Sequence, residues 1–238
     1  MLRWLFPITC ELCGEEAERS LCPDCLASLQ RIPRPICLYC GSPVYGTTPL
    51  ADCCPACKSL PRPFDFARAP LLNSEQNMEL IYRLKYHRAP YIAAALAPAM
   101  AETWEQTAEA KDFSKAVIVP VPITPERQVK RGYNQAALLA RALGKLLRRP
   151  VVNALIRHTT ELDSQTRLTA ARRRKNATQS FSALPAFLTG RRKLTSHVIL
   201  VDDVFTTGST ARACSKALKS IPGVENVAVL TLVHVHND

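Results

Sequence analysis

The chain has 238 residues, is 47% hydrophobic and carries a formal net charge of +11. No apolar run approaches the ~18 residues needed to cross a bilayer as a helix, so a membrane-spanning protein is not expected. The length suits a small module joined to one larger domain, and the basic excess favours phosphate-bearing ligands over cationic ones.

Nine of the ten cysteines lie before residue 58, and eight of them form the C-x-x-C pairs Cys10/Cys13, Cys22/Cys25, Cys37/Cys40 and Cys54/Cys57. A C-x-x-C turn aims two thiolates at one tetrahedral ion, and two turns complete a closed structural zinc site. Eight thiolates account for two zinc ions. The spacing favours sequential pairing, with Cys10, Cys13, Cys22 and Cys25 on one ion and Cys37, Cys40, Cys54 and Cys57 on the other; an interleaved cross-brace is the alternative. Cys53 could stand in for Cys54, although only Cys54 keeps the two-residue gap to Cys57. A disulfide framework normally accompanies secretion, and the start Met1-Leu2-Arg3-Trp4-Leu5-Phe6-Pro7 has no long apolar core and no small-residue cleavage site. Reduced thiols in a cytoplasmic protein are therefore expected. Residues 1–62 can bury little core, so zinc would supply their folding energy. Pro61-Arg62-Pro63-Phe64 marks the boundary to a second domain over 63–238.

Beyond that boundary, Met78, Ile81, Leu84 and Lys85 recur with helical spacing, and Ile92 to Met100 continues an alanine-rich helix. Both are expected to be scaffold. Ala116 to Pro122 reads as a buried strand, and Asn134 to Leu147 as an amphipathic helix with Leu139, Leu143 and Leu146 inward. Arg127 to Arg149 holds seven basic residues and no acidic one, and Arg157 to Lys175 adds six basic against two acidic. A solvated helix face, a phosphate and pyrophosphate site, and a nucleic-acid track each account for such a run. The spacing places Arg141, Lys145, Arg148 and Arg149 on one face of the helix, away from its leucines.

Val198 to Val201 is a run of four β-prone apolar residues, which suits a central strand covered on both faces. Asp202 and Asp203 follow, expected just past the strand end and facing a ligand. Thr206-Thr207-Gly208-Ser209-Thr210 then offers hydroxyls, a glycine and the start of a helix, the ingredients of a phosphate cradle. Cys214 on that helix reads as a small buried hydrophobe. Val227 to Val235 is the last strand, and strands alternating with helices imply a parallel α/β sheet.

The segment from Asp202 to Thr210 resembles the signature by which type I phosphoribosyltransferases bind 5-phosphoribosyl 1-pyrophosphate (PRPP). The resemblance implies that Asp202 and Asp203 hold the ribose hydroxyls, while Thr206, Thr207, Gly208, Ser209 and Thr210 hold the 5′-phosphate. Pro120-Val121-Pro122 with Arg127 and Arg131-Gly132-Tyr133-Asn134-Gln135 resembles the pyrophosphate loop of the ComF/GntX proteins. Arg157, Gln165, Leu168, Arg173 and Asn176, ending at Phe181, resemble their hood segment. With the cysteine pairs in front, the likeness spans essentially the whole chain, which is identified as a member of the ComF family.

That membership implies an α/β class fold: a type I phosphoribosyltransferase-like parallel sheet with a hood, preceded by a small double zinc ribbon. It also implies Mg²⁺ arriving with PRPP. In an enzyme, Asp202 and Asp203 would steady positive charge on the ribose ring while Arg131 and Arg173 neutralise departing pyrophosphate. No residue run identifies an acceptor. The implied partners are PRPP or a related phosphorylated ribose, single-stranded DNA, and a DNA-uptake helicase or other competence protein. The implied location is the cytoplasm, or the inner face of the membrane through those partners. Three roles stay open: a PRPP-dependent transferase, a non-catalytic adaptor that senses PRPP or a nucleotide, and a single-stranded DNA binder. The 6% aromatic content argues against the last, which relies on stacking platforms.

Overall fold

The computed structural model describes residues 8–45, 53–158 and 180–236. Two helical turns, α1 (Pro23–Ala27) and α2 (Pro55–Lys58), each open on a cysteine N-cap followed by proline. Proline is tolerated there because the first amides of a helix have no intrahelical partner anyway. Strands β1 (Phe66–Arg68) and β2 (Leu71–Leu72) lead into α3 (Glu75–Tyr86) and α4 (Ile92–Glu105). Next come β3 (Val117–Pro120), α5 (Pro125–Arg131) and α6 (Gln135–Leu146). A small antiparallel pair, β4 (Leu155–Arg157) and β5 (Phe181–Ala183), precedes α7 (Pro185–Leu188), β6 (His197–Phe205), α8 (Ser209–Lys219) and β7 (Asn226–His234).

The main sheet runs β1-β7-β6-β3, all parallel, with β2 also paired to β7. Helices cover both faces. On one, Leu80, Leu84, Leu96, Met100, Leu139 and Leu143 from α3, α4 and α6 pack on Ile118, Ile199, Val201 and Leu230. On the other, Phe187 of α7 and Cys214 and Leu218 of α8 pack on Val198, Leu200, Val227 and Val229. Each buried leucine contributes about 1.5–3 kcal/mol, and the double cover is why β6 and β7 read as apolar runs. Cys214 is fully buried, as its sequence context led us to expect, and burial pushes its thiol well above its ordinary pKa.

Two expectations about α6 need correction. Leu139 and Leu143 are buried, but Leu146 is 49% exposed at the last turn, where no described element packs over it. Helix α6 stops at Leu146, and Arg148 takes a left-handed φ of 54°. Arg148 and Arg149 therefore do not continue the face of Arg141 and Lys145. Arg149 turns back, its guanidinium donating to the carbonyls of Phe113 and Ser114.

The cysteine-rich segment does not stand apart from the sheet. Cys10, Leu21 and Leu29 belong to the α3–α4 side of the core, whereas Cys37, Tyr39, Cys40 and Cys57 share the opposite core with Phe64 and Phe205. Backbone bonds close the sheet edge: the Ala67 N–H donates to Tyr39 O, Ile32 to Pro70 O and Leu72 to Gln30 O. An edge that would otherwise invite foreign strands is thereby covered. Buried Arg68 secures the junction, reaching Leu38 O at 2.9 Å and Glu109 Oε1 at 2.7 Å.

Candidate functional site

Two tetrahedral thiol clusters are present. The sulfurs of Cys10, Cys13, Cys22 and Cys25, and those of Cys37, Cys40, Cys54 and Cys57, each lie within 4.8 Å of one another. Pairing is sequential. The Cys13–Cys22 and Cys40–Cys54 sulfur separations are 3.9 and 3.7 Å. A tetrahedral zinc with Zn–S bonds of ~2.3 Å needs ~3.8 Å between sulfurs, so both donor sets fit the ion. Within each cluster the thiols are set apart: Cys25 and Cys57 are pushed up to about 12, with burial the largest cause, while one thiol in each cluster is drawn down. Burial works against ionisation of Cys10, yet backbone N–H groups pull it down to about 6. Cys37 falls to about 4 because the Cys40 thiol and the Cys40 and Cys54 amides donate to it. Cys53 lies outside the cluster and accepts instead from Arg62 at 2.8 Å. Elemental analysis should return two zinc ions per chain. Because the second cluster shares the core with Phe64 and Phe205, Cys37→Ser should lose one ion and lower the unfolding midpoint of the whole chain. Full occupancy in that variant would refute the ligand set.

The second site lies where β3 and β6 end. Pro120 pairs with Val201, so β6 runs four residues beyond its neighbour, to Phe205. Asp202 and Asp203 thus sit inside β6, still paired with β7 through Asp202↔Thr231, rather than past the strand end. The difference has a plain cause: β7 supplies ladder partners that outweigh the weak strand propensity of aspartate. Successive strand residues face opposite sides. Asp203 meets the ammonium of Lys85, from the end of α3, at 3.0 Å. Asp202 accepts from the Asp203 amide at 2.9 Å and exerts its field on Cys214. Burial and the neighbouring Asp203 charge push the Asp202 carboxyl up to about 7.

After Phe205 the chain turns through exposed Thr206 and Thr207 into α8. Gly208 is the N-cap with a φ of 71° and has no capping side chain, while Thr207 Oγ1 accepts from the Ser209 amide at 3.4 Å. Thr207 Oγ1 donates to Ser209 Oγ at 3.1 Å, Thr210 opens the first turn, and Arg212 folds back to donate to Thr207 O. Hydroxyls, a helix start and a guanidinium lie together on this turn, which is the composition of an anion cradle. Beneath it Phe205 stacks on His234 at 4.9 Å and meets the edge of Phe64 at 6.2 Å; Phe64 in turn stacks on Tyr39 at 4.5 Å. The cradle floor is continuous with the second thiol cluster.

The loop after β3 forms the opposite wall. Arg127 and Arg131 lie on α5, which ends at Gly132. Asn134 caps α6 by accepting from Ala136 N, and its amide donates to Val121 O at 2.9 Å. Arg131 donates to Gln135 Oε1 at 3.1 Å, and Gln135 Nε2 is buried without a partner among the described residues. A groove of about 600 Å³ runs past Gly132, Asn134 and Arg157. Arg157, on β4, lies over the Phe181 ring at 5.2 Å. Gln165, Arg173 and Asn176 fall outside the described residues.

Two side chains at this site escaped sequence reasoning. Lys85 belonged to a helix taken as scaffold, and its signal was a lysine inside the apolar stripe Met78-Ile81-Leu84. Arg212 carried no signal beyond its place in the first turn of α8.

A double zinc ribbon domain matches residues 1–59. Competence protein F of Haemophilus influenzae is 30% identical over 214 residues, covering 90% of this chain and 90% of the relative. The chain belongs to the competence protein F family. Competence protein ComFC of Bacillus subtilis is 27% identical over 91% of this ComF chain and 85% of its own length. The DNA utilization protein YhgH of Escherichia coli K12 is 28% identical over 88% and 83%. A solved allosteric regulatory enzyme of purine biosynthesis superposes on 63% of this chain and 29% of its own, with a TM-score of 0.37 at 16% identity. The parallel sheet and the paired four-cysteine clusters are those expected of a ComF protein. No helix among the described residues is long and apolar enough to cross a membrane.

Proposed function

We propose that this ComF protein binds PRPP with Mg²⁺ at the carboxyl ends of β3 and β6, in support of DNA uptake or the use of DNA as a nutrient. The observation that carries the reading is the unbroken run from a carboxylate pair into a glycine-capped, hydroxyl-lined helix start, flanked by Arg212. In this reading the cradle at Thr206–Thr210 takes the 5′-phosphate, and Asp202 and Asp203 accept from the ribose diol. Arg131 at the end of α5 faces the pyrophosphate, whose charge a bound Mg²⁺ would help to neutralise. The names of the relatives, competence and DNA utilization, support the cellular role.

Calorimetry with PRPP and Mg²⁺ tests the binding, and its pH dependence tests the site. Asp202 accepts from a diol best as a carboxylate, and it ionises around pH 7. Affinity should rise roughly tenfold between pH 6 and pH 8, the change in ionised fraction across such a titration, and Asp202→Asn should abolish the rise. Stability of the empty protein runs the other way. A raised carboxyl pKa means the folded state binds more protons than the unfolded state, so stability is lost as pH climbs from the ordinary carboxylate range through 7. Affinity that stays flat across this window, and is unchanged by Asp202→Asn, would remove Asp202 from the site.

A further inference from the structure

We propose that Lys85 is a ligand-binding residue of this site, contacting the pyrophosphate of PRPP; the inference rests on the PRPP reading above. Three consecutive residues at the end of α3 meet three parts of the site. The Leu84 carbonyl accepts from the Tyr133 hydroxyl at 2.9 Å. Lys85 Nζ lies 3.0 Å from Asp203 Oδ2, with a side chain 23% exposed. The Tyr86 hydroxyl accepts from Arg131 at 3.3 Å, and the Arg131 guanidinium lies over the Tyr86 ring at 5.0 Å. The end of α3 is thus a third wall, tied to the loop after β3 on one side and to the carboxylate pair on the other.

Elimination sets the contact. An ammonium has three donors and no acceptor, so what it recognises must be anionic or a lone pair. The 5′-phosphate belongs to the cradle after β6, and the diol needs the acceptors Asp202 and Asp203. The pyrophosphate is the anion left, and Arg131, one residue's contact away through Tyr86, is already assigned to it. In the empty site Lys85 neutralises Asp203; when the diol engages Asp203, the flexible four-carbon arm turns to the phosphate oxygens.

The experiment compares PRPP with ribose 5-phosphate, which has the same cradle and diol contacts but no pyrophosphate. Lys85→Gln should weaken PRPP at least tenfold, the worth of one charge-assisted hydrogen bond, and leave ribose 5-phosphate within about twofold. Mass-spectrometric footprinting with an amine-acylating reagent reads the same contact in the unaltered protein: PRPP should protect Lys85, and ribose 5-phosphate should not. An unchanged PRPP affinity, an equal loss on both ligands, or a Lys85 left unprotected in protein saturated with PRPP would overturn the assignment. Unaltered protein that binds ribose 5-phosphate but gains nothing from the pyrophosphate overturns Lys85 alone. Protein that binds neither ligand overturns the PRPP reading, and this inference with it.

Discussion

Asp202→Asn combined with Asp203→Asn is expected to abolish Mg²⁺-dependent PRPP binding while leaving a folded protein. Each carboxylate lost from a ligand hydroxyl removes a charged hydrogen bond of about 1.5–3 kcal/mol, so the pair amounts to roughly a hundredfold or more in affinity. The fold loses much less. Asp202 holds its charge at a cost, since burial and Asp203 raise its carboxyl to about 7, and a neutral amide of the same shape relieves that cost. Asp203 gives up its ion pair with Lys85, but that lysine is partly exposed and returns to water. The unfolding midpoint at pH 8 should therefore stay near that of the unaltered protein or rise. Wild-type affinity for PRPP in the folded double variant would detach the acid pair from the ligand.

Gly208→Ala should damage both fold and binding, because two independent penalties meet at one carbon. With φ at 71° the backbone is left-handed, and a Cβ would lie 2.6 Å from Phe205 Cζ and 3.0 Å from Arg212 Nη1. Phe205 cannot withdraw: it is 5% exposed, stacked on His234 and edged by Phe64. Conformation and overpacking together cost roughly 2–5 kcal/mol, and the displaced loop should lose its phosphate ligand. Gly223 supplies the control, with a φ of 87° and nothing within 4 Å of its hypothetical Cβ. Gly223→Ala should cost only the backbone part, about 1–2 kcal/mol, and leave ribose 5-phosphate affinity unchanged. Urea denaturation and calorimetry on the two variants measure both effects. Equal stability losses would mean that the Phe205 contact is harmless.

Much of this architecture was legible before any coordinates. The four C-x-x-C pairs announced both thiol clusters because a tetrahedral ion imposes a short local spacing. Val198–Val201 announced a covered strand because both faces of β6 are apolar. What escaped depends on partners far away in the chain. Asp202 and Asp203 stay in β6 only because β7 pairs with Asp202 and again with Val204 and Phe205, and no local pattern records that ladder. Leu146 reads as inward on a helical wheel, but its exposure depends on where neighbouring elements stop. Lys85 was visible as an anomaly in an apolar stripe, yet its meaning required knowing that α3 ends beside β6. The cysteine pairs, likewise, could not reveal that Tyr39 reaches the floor of the phosphate cradle through Phe64.

The strand order carries a consequence for the order of synthesis. β1 has β7 as its main-sheet partner, and the two are separated by most of the chain. As the polypeptide leaves the ribosome, both thiol clusters and β1 emerge early, whereas the strand that β1 pairs with comes last. The clusters can collect metal at once, since each is closed by neighbours within about 20 residues. The first cluster docks on α3 and α4, which follow soon after, whereas the core around the second cluster stays open until Phe205, Val227 and Val229 of β6 and β7 are made. For most of translation β1 is an unpaired parallel edge and the apolar side of the second ribbon lacks its cover, the long-range, late-closing arrangement that folds slowly and invites association between chains. Early metal loading would keep this segment compact during the wait.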